Sequence, residues 1–94
     1  MITATCLLSL YLPGVRSLKE KRSSITSLRE RARRRFNISI AEVDAHDLHA
    51  RCVIGIACVA RTGEHARQQI DALLAWIETE RPDLTILDAD VELL

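Results

Sequence analysis

The chain has 94 residues, of which 48% are apolar and 28% charged, a composition typical of a compact globular domain that excludes a disordered or low-complexity chain. The length predicts a single domain, residues 1–94, with one hydrophobic core. The formal net charge is zero, but residues 16–35 carry nine basic and two acidic residues (+7), leaving four basic and eleven acidic residues (−7) elsewhere. This split predicts an oriented charge distribution that could guide a polyanion to one face.

The first predicted element is a half-buried strand over residues 2–12, in which apolar side chains alternate with more polar ones until Pro13 and Gly14 end it. The apolar run is too short to cross a bilayer as a helix. It also lacks the basic region and cleavage motif of a signal peptide, so we interpret it as mature sequence and expect no membrane association.

Residues 17–35 are predicted to form an amphipathic helix, because their apolar residues recur at helical spacing. Ser17 and Glu20 have the spacing of a capping box. Lys21 falls within the apolar arc, which leaves two interpretations. Either its stem extends along the core and its ammonium group reaches the sheet edge, or the ammonium group pairs with a carboxylate of the second strand, Glu42 or Asp44.

Basic side chains cover much of this helix. Arg22, Arg29 and Arg33 share one flank with Thr26, forming a row roughly 16 Å long by helical rise. Such a row suits contact with successive phosphates, and a solvated helix face is the alternative. The predicted polyanion contacts are Lys19, Lys21, Arg22, Arg29, Arg33 and Arg34, with Glu42, Asp44 and Asp47 as acidic partners of this basic cluster.

The remaining pattern predicts a hairpin, a helix and a strand. The hairpin strands are residues 36–44 and 51–61, the second helix begins at Thr62 and Gly63 and stops at Arg81 and Pro82, and the last strand covers residues 84–94. On that strand the predicted faces are Thr85, Leu87, Ala89, Val91 and Leu93 against Asp88, Asp90 and Glu92. The order β-α-β-β-α-β predicts an α+β, ferredoxin-like sandwich: a four-stranded antiparallel sheet with both helices on one face.

Other chemistry is weakly indicated. Cys6, Cys52 and Cys58 are interpreted as buried thiols of a reducing cytosol. His46, His49 and Cys52 are legitimate zinc ligands, but their spacing matches no standard site, and we predict no metal and no cofactor. Phosphate-binding loops and nucleophile elbows are absent from the sequence, so an enzyme is not predicted.

Two longer segments carry a family resemblance. PGVRSLKEKR (13–22) and RARRRFNISIAEVD (31–44), with Asp47 three residues on, resemble the YlxP-like family of small bacterial proteins, whose function is unknown. The resemblance covers essentially the whole chain and implies a ferredoxin-like fold. Genes of this family commonly lie beside translation genes, including that of ribosome-binding factor A, which implies a ribosome or RNA connection.

The predicted function is therefore non-catalytic and cytoplasmic, with ribosomal RNA or a ribosome-associated protein bound through the first helix. With only three aromatic residues, Tyr11, Phe36 and Trp76, the chain lacks an aromatic platform for stacking bases, so RNA would be held through its phosphates. One alternative is a homodimeric protein-interaction module with no role in nucleic-acid binding, which dimerises through the open sheet face or a strand edge. A remote alternative is an acylphosphatase-like hydrolase, suggested by the fold and by the turn at residues 14–16, although Asn37 is poorly placed to orient a water molecule.

Overall fold

A computed structural model describes residues 1–45 and 47–94. Its elements are β1 (Ile2–Tyr11), α1 (Leu18–Arg35), β2 (Ser39–Asp44), β3 (Arg51–Ala60), α2 (Gly63–Glu80) and β4 (Thr85–Leu93). The strands form one sheet in the order β2-β3-β1-β4, and every neighbouring pair is antiparallel. The predicted ferredoxin-like sandwich is confirmed.

The core lies between one face of the sheet and the two helices. On β1 and β3, alternate side chains are buried, and cross-strand partners such as Cys6 and Ile56 share the buried face. The helices close this face with residues at helical spacing, as predicted for α2. These are Ile25, Leu28 and Ala32 on α1, and Ala66, Ile70, Leu73 and Ile77 on α2. The opposite face of the sheet is left open.

Both helices begin at a side-chain cap. The Ser17 hydroxyl accepts a hydrogen bond from the Glu20 amide at 3.1 Å, and Glu20 Oε2 accepts one from the Arg16 amide at 2.7 Å. The Thr62 hydroxyl accepts from the His65 amide at 3.2 Å in the same way. These bonds satisfy amides that have no partner within the helix. Among the described residues, no helix has the length and apolar character needed to cross a membrane.

The predicted faces of β4 are wrong at its start. Leu10 pairs with Ile86 and Ser9 with Asp88, so an irregularity in register leaves Leu87 opposite no residue of β1. An extra residue of this kind, a β-bulge, reverses the alternation of side chains. Ile86 therefore packs against the core, while Leu87 is 45% exposed. Beyond the bulge, Ala89 and Val91 pack against the core as predicted.

Candidate nucleic-acid interface

Helix α1 presents several basic side chains to solvent, with the exposed Glu30 among them. Lys19, Arg22, Arg33 and Arg34 are exposed, and Arg29 is half-buried. We call these five residues the basic face. The ion pairs of the described residues involve other cations, so no described carboxylate neutralises this surface within 4 Å. The arginines of the last turn also lie at the negative end of the helix dipole, which favours their charge there.

Arg31 lies on the opposite flank of α1, where its side chain contacts α2. Its Nη2 donates to Glu80 Oε2 at 2.8 Å, and its Cζ lies 5.8 Å from the centre of the Trp76 ring. Trp76 in turn meets Phe36 edge to face, with 5.7 Å between ring centres. This flank joins the two helices, so Arg31 is not part of the basic face.

The prediction that Lys21 contacts a polyanion requires a correction. Its side chain is only 1% exposed, and its ammonium group lies 2.8 Å from Glu42 Oε2. The same Nζ donates to the carbonyl oxygens of Ala45 at 2.6 Å and Leu48 at 2.7 Å. The three acceptors match the three N–H groups of an ammonium. The proposed pair with Glu42 is therefore present, whereas Lys21 is wrongly placed among the polyanion contacts, because burial keeps it from any surface ligand.

The other two predicted acidic partners lie apart from the basic face. Asp44 is exposed, and its Oδ1 accepts from the Ala45 amide at 2.7 Å. Asp47 is exposed in the turn after β2. Neither forms an ion pair with a described residue. Of the three, only Glu42 contacts a cation of the predicted cluster, because it alone lies on the helix-covered side of β2, opposite the buried Ile54.

Glu42 also meets a buried thiol. Cys52 Sγ lies 3.4 Å from Glu42 Oε2 in hydrogen-bonding geometry. Burial and the neighbouring Glu42 carboxylate raise the pKa of Cys52 to about 12. Burial also raises the pKa values of Cys6 and Cys58. All three cysteines are free and buried, as predicted. Because the thiolate is the nucleophile and the metal ligand, these protonated thiols are chemically inert.

The raised pKa of Cys52 makes a testable contribution to stability. The folded state holds this proton more tightly than the unfolded state, whose thiol pKa is near 9.0, so the contribution is complete below pH 9 and is lost as pH rises toward 12. We expect the free energy of unfolding, measured with urea between pH 9 and pH 11, to fall less steeply for Cys52→Ala than for the unmodified protein. Other groups titrate in both proteins and cancel in the comparison. Parallel slopes would contradict the prediction.

Of the three residues considered as zinc ligands, the structure describes only His49 and Cys52. His46 lies outside the described residues. In the rest of the chain, no group of three or more ligand-type side chains is arranged to hold a metal. His49 is exposed, whereas Cys52 is buried with its thiol directed to Glu42.

Arg81 forms a clamp that the sequence pattern did not reveal. Its guanidinium donates to the Ser24 hydroxyl at 2.6 Å and the Ser24 carbonyl at 3.2 Å, which ties the end of α2 to the middle of α1. It also holds Asp83 through two bonds of 3.0 and 2.9 Å. These bonds keep the pKa of Asp83 below its ordinary value. The clamp therefore gives α1 a second attachment, in addition to the Lys21–Glu42 pair.

The turn between β1 and α1 is already occupied by a carboxylate. Glu20 Oε2 accepts from the Arg16 amide, and an anion cradled at this turn would need that amide as a donor. A carboxylate in this position also repels a second anion. The geometry thus disfavours the phosphate cradle on which the acylphosphatase alternative depends.

Comparisons with known proteins agree on one family. The sequence profile of the family described as "Protein of unknown function (DUF503)" matches residues 3–91. The chain is also 33% identical over 76 residues to a protein of Bacillus subtilis (strain 168) described as "Uncharacterized protein YlxP". That match covers 81% of this chain and 80% of the relative.

Proposed function

Since the chain belongs to the YlxP-like family of small proteins, whose function is unknown, we propose from its geometry that it is a non-catalytic cytoplasmic protein that binds RNA through the basic face of α1. The observation that carries this proposal is the set of cations on one helix, four exposed and one half-buried, that form no ion pair with a described carboxylate. Ribosomal RNA, alone or within the ribosome, is the partner we favour.

The distribution of acidic side chains supports the same mode of binding. Asp88, Asp90 and Glu92 are exposed on β4, which lies at the sheet edge opposite β2, the strand that α1 adjoins. A polyanion approaching the protein is therefore attracted at one end and repelled at the other. Charge separation of this kind orients a partner during association.

Recognition through phosphates is favoured over recognition of bases. Phe36 and Trp76 contact each other beside α2, and Tyr11 is the one remaining aromatic residue of the chain. Base-specific RNA modules stack bases on two or more aromatic side chains. We therefore expect little sequence preference and a strong dependence on salt.

Fluorescence anisotropy tests the proposal with structured ribosomal RNA fragments, duplex DNA and heparin titrated at several salt concentrations. We expect RNA to bind most tightly and its affinity to fall with salt. A plot of the logarithm of the binding constant against the logarithm of the salt concentration should have a slope of magnitude about 3 to 4. Each of the five cations of the basic face contributes about 0.7 when it contacts single-stranded RNA. Absence of RNA binding near physiological salt, or equal binding of all three polyanions, would overturn the proposed role.

The open sheet face supports a second candidate function, association with another copy of the chain. Leu7, Val43 and Val59 are each about half exposed on this face. Val43 lies over Gly55, where a Cβ would come within 2.9 Å of its Cγ1. Apolar side chains on an open sheet favour association. Sedimentation equilibrium distinguishes this candidate, since a dimer that binds no RNA would replace the first proposal.

A further inference from the structure

A narrow cleft separates α1 from the edge strand β2. Arg22, Thr26 and Arg29 line it from the helix, and Ala41 and Glu42 line it from the strand. Its volume is about 240 Å³, many times the roughly 10–15 Å³ that admits one water molecule. The cleft therefore has room for a small polar ligand, and its walls offer two guanidinium groups and one hydroxyl.

One residue that lines this cleft has a buried donor atom without a partner. Arg29 Nε is buried and makes no hydrogen bond, and no other buried side-chain nitrogen or oxygen of the described residues is in this position. A buried donor without an acceptor is costly and calls for a missing partner such as an ion or water. The N–H groups of Nε and Nη2 lie parallel in arginine and suit two oxygens of one carboxylate or phosphate.

The charge within the cleft favours an anion. Arg22 and Arg29 contribute two positive charges. The Glu42 carboxylate is held by Lys21 at 2.8 Å, so this pair is neutral overall. The cleft consequently carries a net charge of about +2 in a partly enclosed site, where interactions between charges are stronger than at an open surface.

We infer that this cleft is a binding site for a single phosphate group, which the Arg29 fork holds from inside while Arg22 and the Thr26 hydroxyl hold it from the rim. A tetrahedral phosphate has enough oxygens to meet all three side chains, whereas a carboxylate has two. The identification of RNA as the natural source of this phosphate rests on the proposed function. The site itself follows from the cleft and its unpartnered donor.

The direct test is an NMR titration of the ¹⁵N-labelled full-length protein with inorganic phosphate at constant ionic strength and pH, following the arginine Nε–Hε resonances. We expect the Arg29 resonance to shift saturably and the Arg33 resonance to stay in place, since Arg33 does not line the cleft. Acetate in a parallel titration should bind at least several-fold more weakly. A non-saturable shift, or equal shifts at Arg29 and Arg33, would overturn the inference.

Variants provide an independent readout by calorimetry. Arg29→Lys keeps the positive charge but lacks the fork, and we expect it to weaken phosphate binding about tenfold or more. Thr26→Val should weaken binding by a smaller factor. Arg67→Lys, the matched control at an exposed arginine of α2 outside the cleft, should leave the affinity unchanged. Unfolding measurements establish that each variant folds. An Arg29→Lys protein that binds phosphate as tightly as the unmodified protein would contradict the site.

Competition separates the inference from the proposed function. A short RNA with either a 5′-phosphate or a 5′-hydroxyl is added to the phosphate-bound protein while the Arg29 resonance is followed. Displacement by both RNAs identifies a backbone phosphate as the source, and displacement by the 5′-phosphorylated RNA alone identifies a terminal one. Phosphate binding without RNA binding would refute the proposed function and leave the site standing. RNA binding without saturable phosphate binding would refute the site and leave the proposed function standing.

Discussion

Lys21→Met should destabilise the protein by about 3 kcal/mol, the low end of the range for removing one partner of a buried ion pair. The substitution removes the Lys21 cation from Glu42 and one donor from each of the carbonyls of Ala45 and Leu48. We take the low end because the Glu42 side chain is 18% exposed, so water can partly replace the ammonium. Urea unfolding at neutral pH measures the loss, and thermal unfolding should show a decrease in Tm of more than 10 °C.

The matched control is Lys19→Met, two residues earlier on the same helix but exposed, for which we expect a change within about 0.5 kcal/mol. A double variant, Lys21→Met with Glu42→Met, removes both charges and should recover part of the lost stability. If Lys21→Met proved as stable as Lys19→Met, the buried pair would contribute nothing, and the position of the β2–β3 loop would need another explanation.

Charge reversal on the basic face should weaken RNA binding at least a hundredfold. The triple variant Arg22→Glu, Arg33→Glu, Arg34→Glu replaces three attractions with three repulsions. Even at about 1 kcal/mol for each pair of charges in water, the loss of the three attractions alone amounts to roughly 3 kcal/mol, or two orders of magnitude in Kd. The logarithmic salt slope should also fall by about 2. Fluorescence anisotropy measures both quantities.

The control for this variant reverses three exposed arginines outside α1, namely Arg51, Arg61 and Arg67, and so produces the same change in net charge. We expect its RNA affinity to fall far less than that of the α1 variant. Circular dichroism confirms that α1 remains helical, since Arg33 and Arg34 also favour the helix end by a few tenths of a kcal/mol each. Equal losses in the two triple variants would mean that RNA responds to total charge and not to the basic face.

The fold was largely predictable because each element carries a strong periodic signal. The stripe of Ala66, Ile70, Leu73 and Ile77 identified α2, and all four residues are buried. The bulge at Leu87 was not predictable, because Thr85, Leu87 and Ala89 continue an unbroken alternation. Leu87 is recognised as the extra residue only when β4 is paired with β1. A single sequence does not contain the register that decides which face such a residue takes.

The basic face was visible in the sequence for a similar reason: charged residues at helical spacing remain neighbours once the helix forms. The partners of Lys21 were only half predictable. Its place in the apolar arc indicated an acid on the second strand, and Glu42 is that acid. The carbonyls of Ala45 and Leu48 were beyond prediction, because backbone groups leave no trace in residue type. The burial of Arg29, which sets it apart from Arg22 and Arg33, was also beyond prediction. It depends on how closely β2 approaches α1, and the sequence does not contain that distance.

The three hydrogen-bonding partners of Lys21 also determine how this end of the molecule opens. Ala45 adopts a left-handed conformation, with φ of 62°, and its carbonyl accepts from both Lys21 Nζ and the Leu48 amide. The hairpin loop therefore cannot loosen without releasing the ammonium group, and the ammonium group cannot leave without uncovering Glu42. Hydrogen exchange at the loop and at the start of α1 should then report one cooperative opening. Such coupling keeps the edge strand β2 from fraying alone, and a frayed edge is where chains begin to pair wrongly.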